Sequence, residues 1–401
     1  VHTHLPSIFV RGVYGVVARG LTSVLFPLKT YFTPEDIHLF GLVSCIEALY
    51  GGSTTVAENY NYLDSFALAV KETGIRAILG EQIAEADLYK IKDNIYKYNS
   101  EQAEAALGRA KKLIKKWHKA ENGRIITNVA PLAPDMTTYE TYQKCKEISE
   151  KHNLKLTTHL SQSVGEIQQV KKKYGVTPPE FLDKLGLMNE NTLCAHCSYI
   201  TDKDRMNISK NSVSVLHCPR PYAARGRVNP LIKLLEMGIT VGLATDNVFH
   251  SMNETIRVGL FASRIRSEFI GGSNRMNKGI KPGYLEMLEL ATIRGAEVLG
   301  IEKEVGSIES NKKADIILYD LTSPHLQPTM DPVSSVVLYG TSGDIDTVLV
   351  DGTIIKKDHK IQGKNVKLIV EKSQERVKEL WGEFFKDNPE SKKLWDKYLS
   401  Y

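Results

Sequence analysis

Two histidines, His2 and His4, stand one residue apart at the start of the chain, in a run that reads as a strand. On a strand, residues i and i+2 face the same side, so both imidazoles can grip one cation. Such a pair can equally be plain polar surface. Further groups of the same kind change the balance. His159 ends the strand-like run 155–159, His196 ends 192–196, His217 ends 212–217, and Asp246 follows 240–245. A set of unrelated histidines capping strands does not explain so regular a placement. Three neutral imidazoles and one carboxylate suit a borderline divalent ion such as Zn²⁺, and Fe²⁺ and Mn²⁺ fit the same donors. An ion that keeps one position open for water brings that water's pKa towards ~7. Asp246 suits two tasks there, touching the ion and taking the water's proton. His196 suits orienting the water or stabilising a developing oxyanion.

Bringing these groups together requires elements that end at one place. Candidate strands run at 1–4, 53–60, 76–83, 124–130, 155–160, 192–198, 212–218 and 240–245. Helical patterns such as 34–50, 100–121 and 137–152 lie between them. This alternation argues for parallel strands joined by helices, and eight such units fit an α/β fold of the (β/α)8 TIM-barrel type. An open doubly wound sheet is the alternative, but no GxGxxG follows the first strand. In a barrel the C-terminal strand ends converge on one mouth, which would collect strands one, five, six, seven and eight. The pattern changes after residue 305. Runs at 315–319, 334–339 and 347–350, with a turn at Asp351-Gly352, suggest a small antiparallel sheet within 306–360. The remainder, 361–401, is charged and helical, with Trp381, Phe384, Phe385 and Trp395 as apolar anchors for packing on the barrel.

Composition excludes several classes. The 401 residues are 42% hydrophobic and 25% charged, ordinary for a globular enzyme. No apolar run is long enough to span a membrane, and no signal-type leader opens the chain, so a cytoplasmic protein is expected. The net charge of +5 is spread among acids, and no basic stripe argues for nucleic acid. Five cysteines with a single CxxC, Cys194 to Cys197, fit a reducing compartment better than a zinc knuckle, which needs four ligands.

The ordered motifs resemble the amidohydrolase superfamily, in the branch of cytosine, guanine and S-adenosylhomocysteine deaminases and triazine hydrolases. The resemblance spans almost the whole chain. It is carried by His2-Thr-His4, Arg11-Gly12, the 52–55 run, Thr158-His159, Ala195-His196-Cys197, His217-Cys218-Pro219, Ala244-Thr245-Asp246 and the 291–296 and 312–316 segments. It implies metal ligands at His2, His4, His159 and Asp246, with His196 beside the attacking water. It also implies a β-sandwich built from both ends of the chain. The strands that usually precede the HxH pair are not in this sequence, so a partly missing sandwich is expected. Branches with two metals carry a modified lysine on the fourth strand; 124–130 has no lysine, which implies a single ion.

Two positions depart from the deaminase pattern. Three residues after His159 the deaminases carry a proton-shuttling glutamate, and here the residue is Gln162. An amide can hydrogen-bond a substrate but has no titratable proton near neutral pH. Glu166 lies one helical turn on. Imidazolonepropionase, a member of the same superfamily, opens a ring amide with glutamine at that place. The nucleoside deaminases also have a histidine after the fourth strand, where this chain reads Pro131-Leu132-Ala133-Pro134. The loop after strand seven brings Arg220, Arg225 and Arg227 near the expected mouth, and His217, Arg220 and Arg225 are candidate substrate-binding residues. His250 and Asn253 follow Asp246. The expected activity is hydrolytic attack on an sp² carbon of a nitrogen heterocycle or cyclic amide, releasing ammonia as a deaminase does. The catalytic set is His196, Asp246 and Gln162. Hydrolytic dehalogenation, ring opening and a catalytically impaired metal-binding relative are the alternatives. The expected partner is a small heterocycle rather than nucleic acid or membrane, and a homodimer is expected.

Overall fold

The structure, a computed structural model, describes residues 1–13, 24–271 and 281–399. Eight parallel strands form the frame: β1 (Thr3–His4), β2 (Thr55–Tyr60), β3 (Arg76–Ile83), β4 (Ile125–Thr127, resumed at Ala130–Pro131), β5 (Leu156–Leu160), β6 (Thr192–His196), β7 (Ser214–His217) and β8 (Val241–Leu243, resumed at Asp246–Asn247). Each strand neighbours the next. β4 meets β5 through a parallel bridge at Val129 and Leu156. β8 meets β1 where Asp246 pairs with Thr3. The sheet therefore closes on itself, and every expected barrel strand is present. All eight residues of β3 are buried, as the covered faces of a parallel barrel require.

The helices between strands show why the sequence wraps this way. α1 (Pro34–Tyr50) opens on a reciprocal cap: the Thr33 hydroxyl accepts from the Asp36 N–H and the Asp36 carboxylate accepts from Thr33, with Pro34 at the first helical position. α2 (Leu63–Thr73) ends at Gly74, whose φ of 78° needs glycine. α3 (Ser100–Trp117) buries Ala103, Ala106, Leu107, Ala110, Leu113, Ile114 and Trp117, a stripe at three- and four-residue spacing. α4 (Tyr139–His152), α5 (Val164–Tyr174), α6 (Asp202–Lys210) and α7 (Met252–Gly271) continue the outer ring. Inside the barrel, Ala57, Ile78, Leu193, Ala195 and Leu216 pack against Val298 and Leu299.

Residues 316–361 form a second sheet of antiparallel strands, β9 (Ile316–Tyr319), β10 (Ile345–Val350), β11 (Thr353–Lys357) and β12 (Lys360–Ile361). β10 and β11 are joined at Asp351-Gly352, both with positive φ (50° and 77°), the conformation that suits a two-residue hairpin. One expectation fails here. The run 334–339 is not a strand but part of α8 (Pro332–Tyr339). The Asp331 carboxylate accepts from the N–H groups of Val333 and Ser334, and Pro332 occupies the first turn, so the helix start outweighs the β-branched residues that follow.

A buried ion pair ties the second sheet to the barrel. Arg76 Nε and Nη2 donate to the two Asp315 oxygens at 2.9 and 2.8 Å. The C-terminal segment folds as α9 (Val366–Asp387) and α10 (Pro389–Leu399), and residues 400–401 lie outside the described residues. Phe384 is buried, Trp381 donates to the Phe9 carbonyl at 2.9 Å, and Arg376 pairs with Asp36 on α1. The tail therefore packs on the barrel, as its aromatic anchors suggest. Among the described residues no helix is long and apolar enough to cross a membrane.

Candidate active site

The strand ends meet in a cleft of about 560 Å³, its open mouth included, whose wall carries His4, His159, Gln162, His196, Arg225 and Asp246. His2 lies directly behind, with its ring centroid 4.7 Å from His4 and 4.8 Å from His159. Its Nε2 is 4.0 Å from Asp246 Oδ1, and His4 Nε2 is 3.7 Å from the same oxygen. The four residues expected to hold an ion are therefore brought together.

Backbone carbonyls fix the imidazole tautomers. His4 Nδ1 lies 2.7 Å from the Asn59 carbonyl, and His159 Nδ1 lies 2.7 Å from the Leu132 carbonyl. A carbonyl can only accept, so each Nδ1 carries the proton and each Nε2 presents a lone pair. Those two Nε2 atoms face each other at 3.0 Å. Two lone pairs at that distance repel unless a shared cation lies against both. His2 adds to the case, since both of its ring nitrogens are buried without a hydrogen-bond partner. Burial without such partners is costly, and it is the state expected of a metal ligand. Ligand atoms of His2, His4 and His159 lie within 4.8 Å of one another, and those of His196, Cys218 and Asp246 form an adjoining group.

Electrostatics agree with a neutral-imidazole site. Burial, reinforced by neighbouring histidines, holds His2, His4 and His196 well below the ordinary histidine range. Burial likewise lowers His159 to about 4. Burial pushes the Asp246 carboxyl up to about 7, against the pull of the Arg225 charge. A bound cation would reverse that shift and keep the carboxylate ionised. His196 (φ 77°) and Asp246 (φ 64°) both hold the left-handed backbone conformation, which is uncommon outside glycine and concentrates at functional positions.

Other expectations resolve differently. Gln162 lies on the cleft wall, with its N–H donating to Glu166 and its carbonyl accepting from Tyr222. Glu166 is spent on that loop: its carboxylate also accepts from Ser161 and is absent from the wall. It supports the position of Gln162 and does not replace the missing glutamate. His217 is buried with both ring nitrogens unpartnered, and it does not line the cleft. Arg220 also stands off the wall. It pairs with Glu254 at 2.6 Å, stacks over Phe249, and borders a neighbouring cleft together with Arg11 and Arg225. Of the three candidate substrate-binding residues, only Arg225 reaches the main cleft. Asn253 accepts from Tyr319 and so serves the junction with the second sheet. All five cysteines are buried thiols.

Sequence reasoning missed Lys29, Tyr60, Gln82 and Tyr222, all on the cleft wall. Tyr222 sits in the arginine-bearing segment after β7, which the structure folds as a short helix, Pro219–Ala223, and its place there was the available signal. Lys29 ends a four-residue helix, Phe26–Lys29, and no periodicity announces it.

A sequence model described as the amidohydrolase family matches residues 1–355. The chain is 31% identical over 362 residues to a 5-methylthioadenosine/S-adenosylhomocysteine deaminase of Moorella thermoacetica, covering 88% of this chain and 79% of that protein. It is 29% identical over 383 residues to a 5'-deoxyadenosine deaminase of Methanosarcina mazei, covering 94% and 84% of the two chains. Among solved structures, a zinc-bound adenosine deaminase from Xanthomonas campestris superimposes with a TM-score of 0.83 at 22% identity, covering 95% of this chain and 84% of that one. An atrazine chlorohydrolase from Arthrobacter aurescens complexed with zinc gives 0.82 at 21% identity, covering 94% and 86%. Both structural matches support the barrel with its small second sheet.

Proposed function

The chain belongs to the amidohydrolase family, and from that premise we propose that it is a metal-dependent hydrolase that cleaves a C–N bond of a small nitrogen heterocycle, releasing ammonia. The observation that carries this reading is the 3.0 Å approach of the His4 and His159 Nε2 lone pairs beside unpartnered His2. His2, His4, His159 and Asp246 would hold the ion. We assign Zn²⁺, on the donor set and on the zinc in the structural neighbours' sites. At such a site the cation would supply Lewis acidity that lowers the pKa of a bound water.

The protein's own groups do the rest. Asp246 accepts the proton lost by the attacking water. Among the described residues it is the only carboxyl on the cleft wall, so it is also the group that returns the proton to the leaving nitrogen. His196 borders the same space and orients the water. Gln162 supplies an amide for hydrogen bonding to the heterocycle and holds no transferable proton.

That last feature favours a second reading, hydrolytic dehalogenation, because a halide leaves without needing a proton. Metal analysis coupled to parallel screens for ammonia and halide release tests both. We expect about one divalent ion per chain, loss of turnover on chelation and its return with Zn²⁺. Turnover that persists in fully metal-free protein would refute the proposal. Halide release without ammonia would select the second reading.

A further inference from the structure

Lys29 lies on the cleft wall, half-buried. Its Nζ donates to Gln82 Oε1 at 2.9 Å and sits 3.8 Å from the centre of the Tyr60 ring. Among the described residues no carboxylate forms an ion pair with it. Glu58 and Glu81 feel its charge at longer range, but both are committed elsewhere. Glu58 accepts from Thr3 and Leu5, and Glu81 accepts from Arg109, Tyr62 and Leu63.

An ammonium partly withdrawn from water and with no carboxylate in contact is stabilised by an anion that reaches it. Burial accordingly lowers Lys29 to about 7. Its charge reaches His4 and His159, which places it within electrostatic range of the centre. Arg225 adds a second cationic group to the same wall, and Asp246 is committed to the imidazole cluster. The wall thus carries two cationic groups, Lys29 and Arg225, and a single carboxyl, Asp246. Such a wall suits an anion.

We propose that the substrate is a nitrogen heterocycle bearing an anionic substituent, a carboxylate or a phosphate, and that Lys29 selects it through that charge. The inference rests on the reading of this cleft as the hydrolytic centre.

The test is equilibrium binding to metal-loaded enzyme, with matched probes that differ in charge. Orotate against uracil tests the carboxylate, and inosine 5'-monophosphate against inosine tests the phosphate. We expect at least one pair to show a preference for the charged member of about tenfold or more. Lys29→Met should abolish that preference while metal content and uracil or inosine binding persist. Lys29→Arg should retain it, which guards against a loss of folding in the first variant. The pair that responds identifies carboxylate or phosphate. No preference in either pair, or a preference unchanged in Lys29→Met, would overturn the inference. Failure of the hydrolase reading itself would appear separately, as absence of bound metal.

Discussion

A carbonyl behind each of His4 and His159 decides what the other ring nitrogen can do. With Asn59 and Leu132 accepting from Nδ1, the Nε2 atoms are left as donors of electron pairs, and the proposed ion would be their shared partner. His159→Ala and Asp246→Ala should therefore each lower metal affinity by at least the ~100-fold seen when an outer-shell partner is lost. Metal content after dialysis against a weak chelator measures this. Gln162→Glu should leave metal content unchanged, since Gln162 takes part in the loop contacts and not in the histidine cluster. If proton return limits turnover, the same variant releases ammonia faster, and a rate equal to wild type would show that Asp246 alone suffices. The metal-type residues were legible because each ends an apolar run of strand character. Their hydrogen-bond partners were not, because a carbonyl has no sequence signature. Lys29 was illegible for a related reason: its place on the cleft wall is a property of three-dimensional surroundings.

The elements that carry these residues were read from alternation and period. All eight barrel strands fell where apolar runs stood between helical patterns, and the reason is burial on both faces, which makes such runs conspicuous. The miss at 334–339 shows the limit of that logic. Ser334–Tyr339 contains two valines and a tyrosine, residues that favour strands, yet Asp331 and Pro332 start a helix that packs against the barrel. The junction between barrel and second sheet was also invisible, since Arg76 and Asp315 are far apart in sequence. Their side chains are only 5% and 3% exposed. Asp315→Ala would leave the buried Arg76 guanidinium with Asp351 as its remaining ion-pair partner, at 3.9 Å, and should cost about 3 kcal/mol of stability by denaturant titration. The paired change Arg76→Met with Asp315→Leu should recover a good part of that loss, because the uncompensated charge is then removed. A single variant as stable as wild type would show that the ion pair contributes nothing to docking.

For the whole molecule, the proposed ion would be a tie between distant segments. His2 and His4 come from β1, His159 from β5 and Asp246 from β8, so a cation held by all four links opposite sides of the barrel. The unfolded chain offers no such arrangement, so metal should stabilise the folded state by about 2.7 kcal/mol at a hundredfold excess over the dissociation constant. Thermal melting of stripped protein against graded Zn²⁺ tests this, and a midpoint independent of zinc would contradict the tie. The same connectivity sets an order of events during synthesis. β1 finds its last neighbour only when Asp246 reaches Thr3. A nascent chain still short of residue 246 leaves one side of β1 open, an edge prone to pairing with the wrong strand. Loading of an ion held by all four residues would then wait until most of the polypeptide has left the ribosome, which would make the metal the keystone set after the arch and not the scaffold around which it rises.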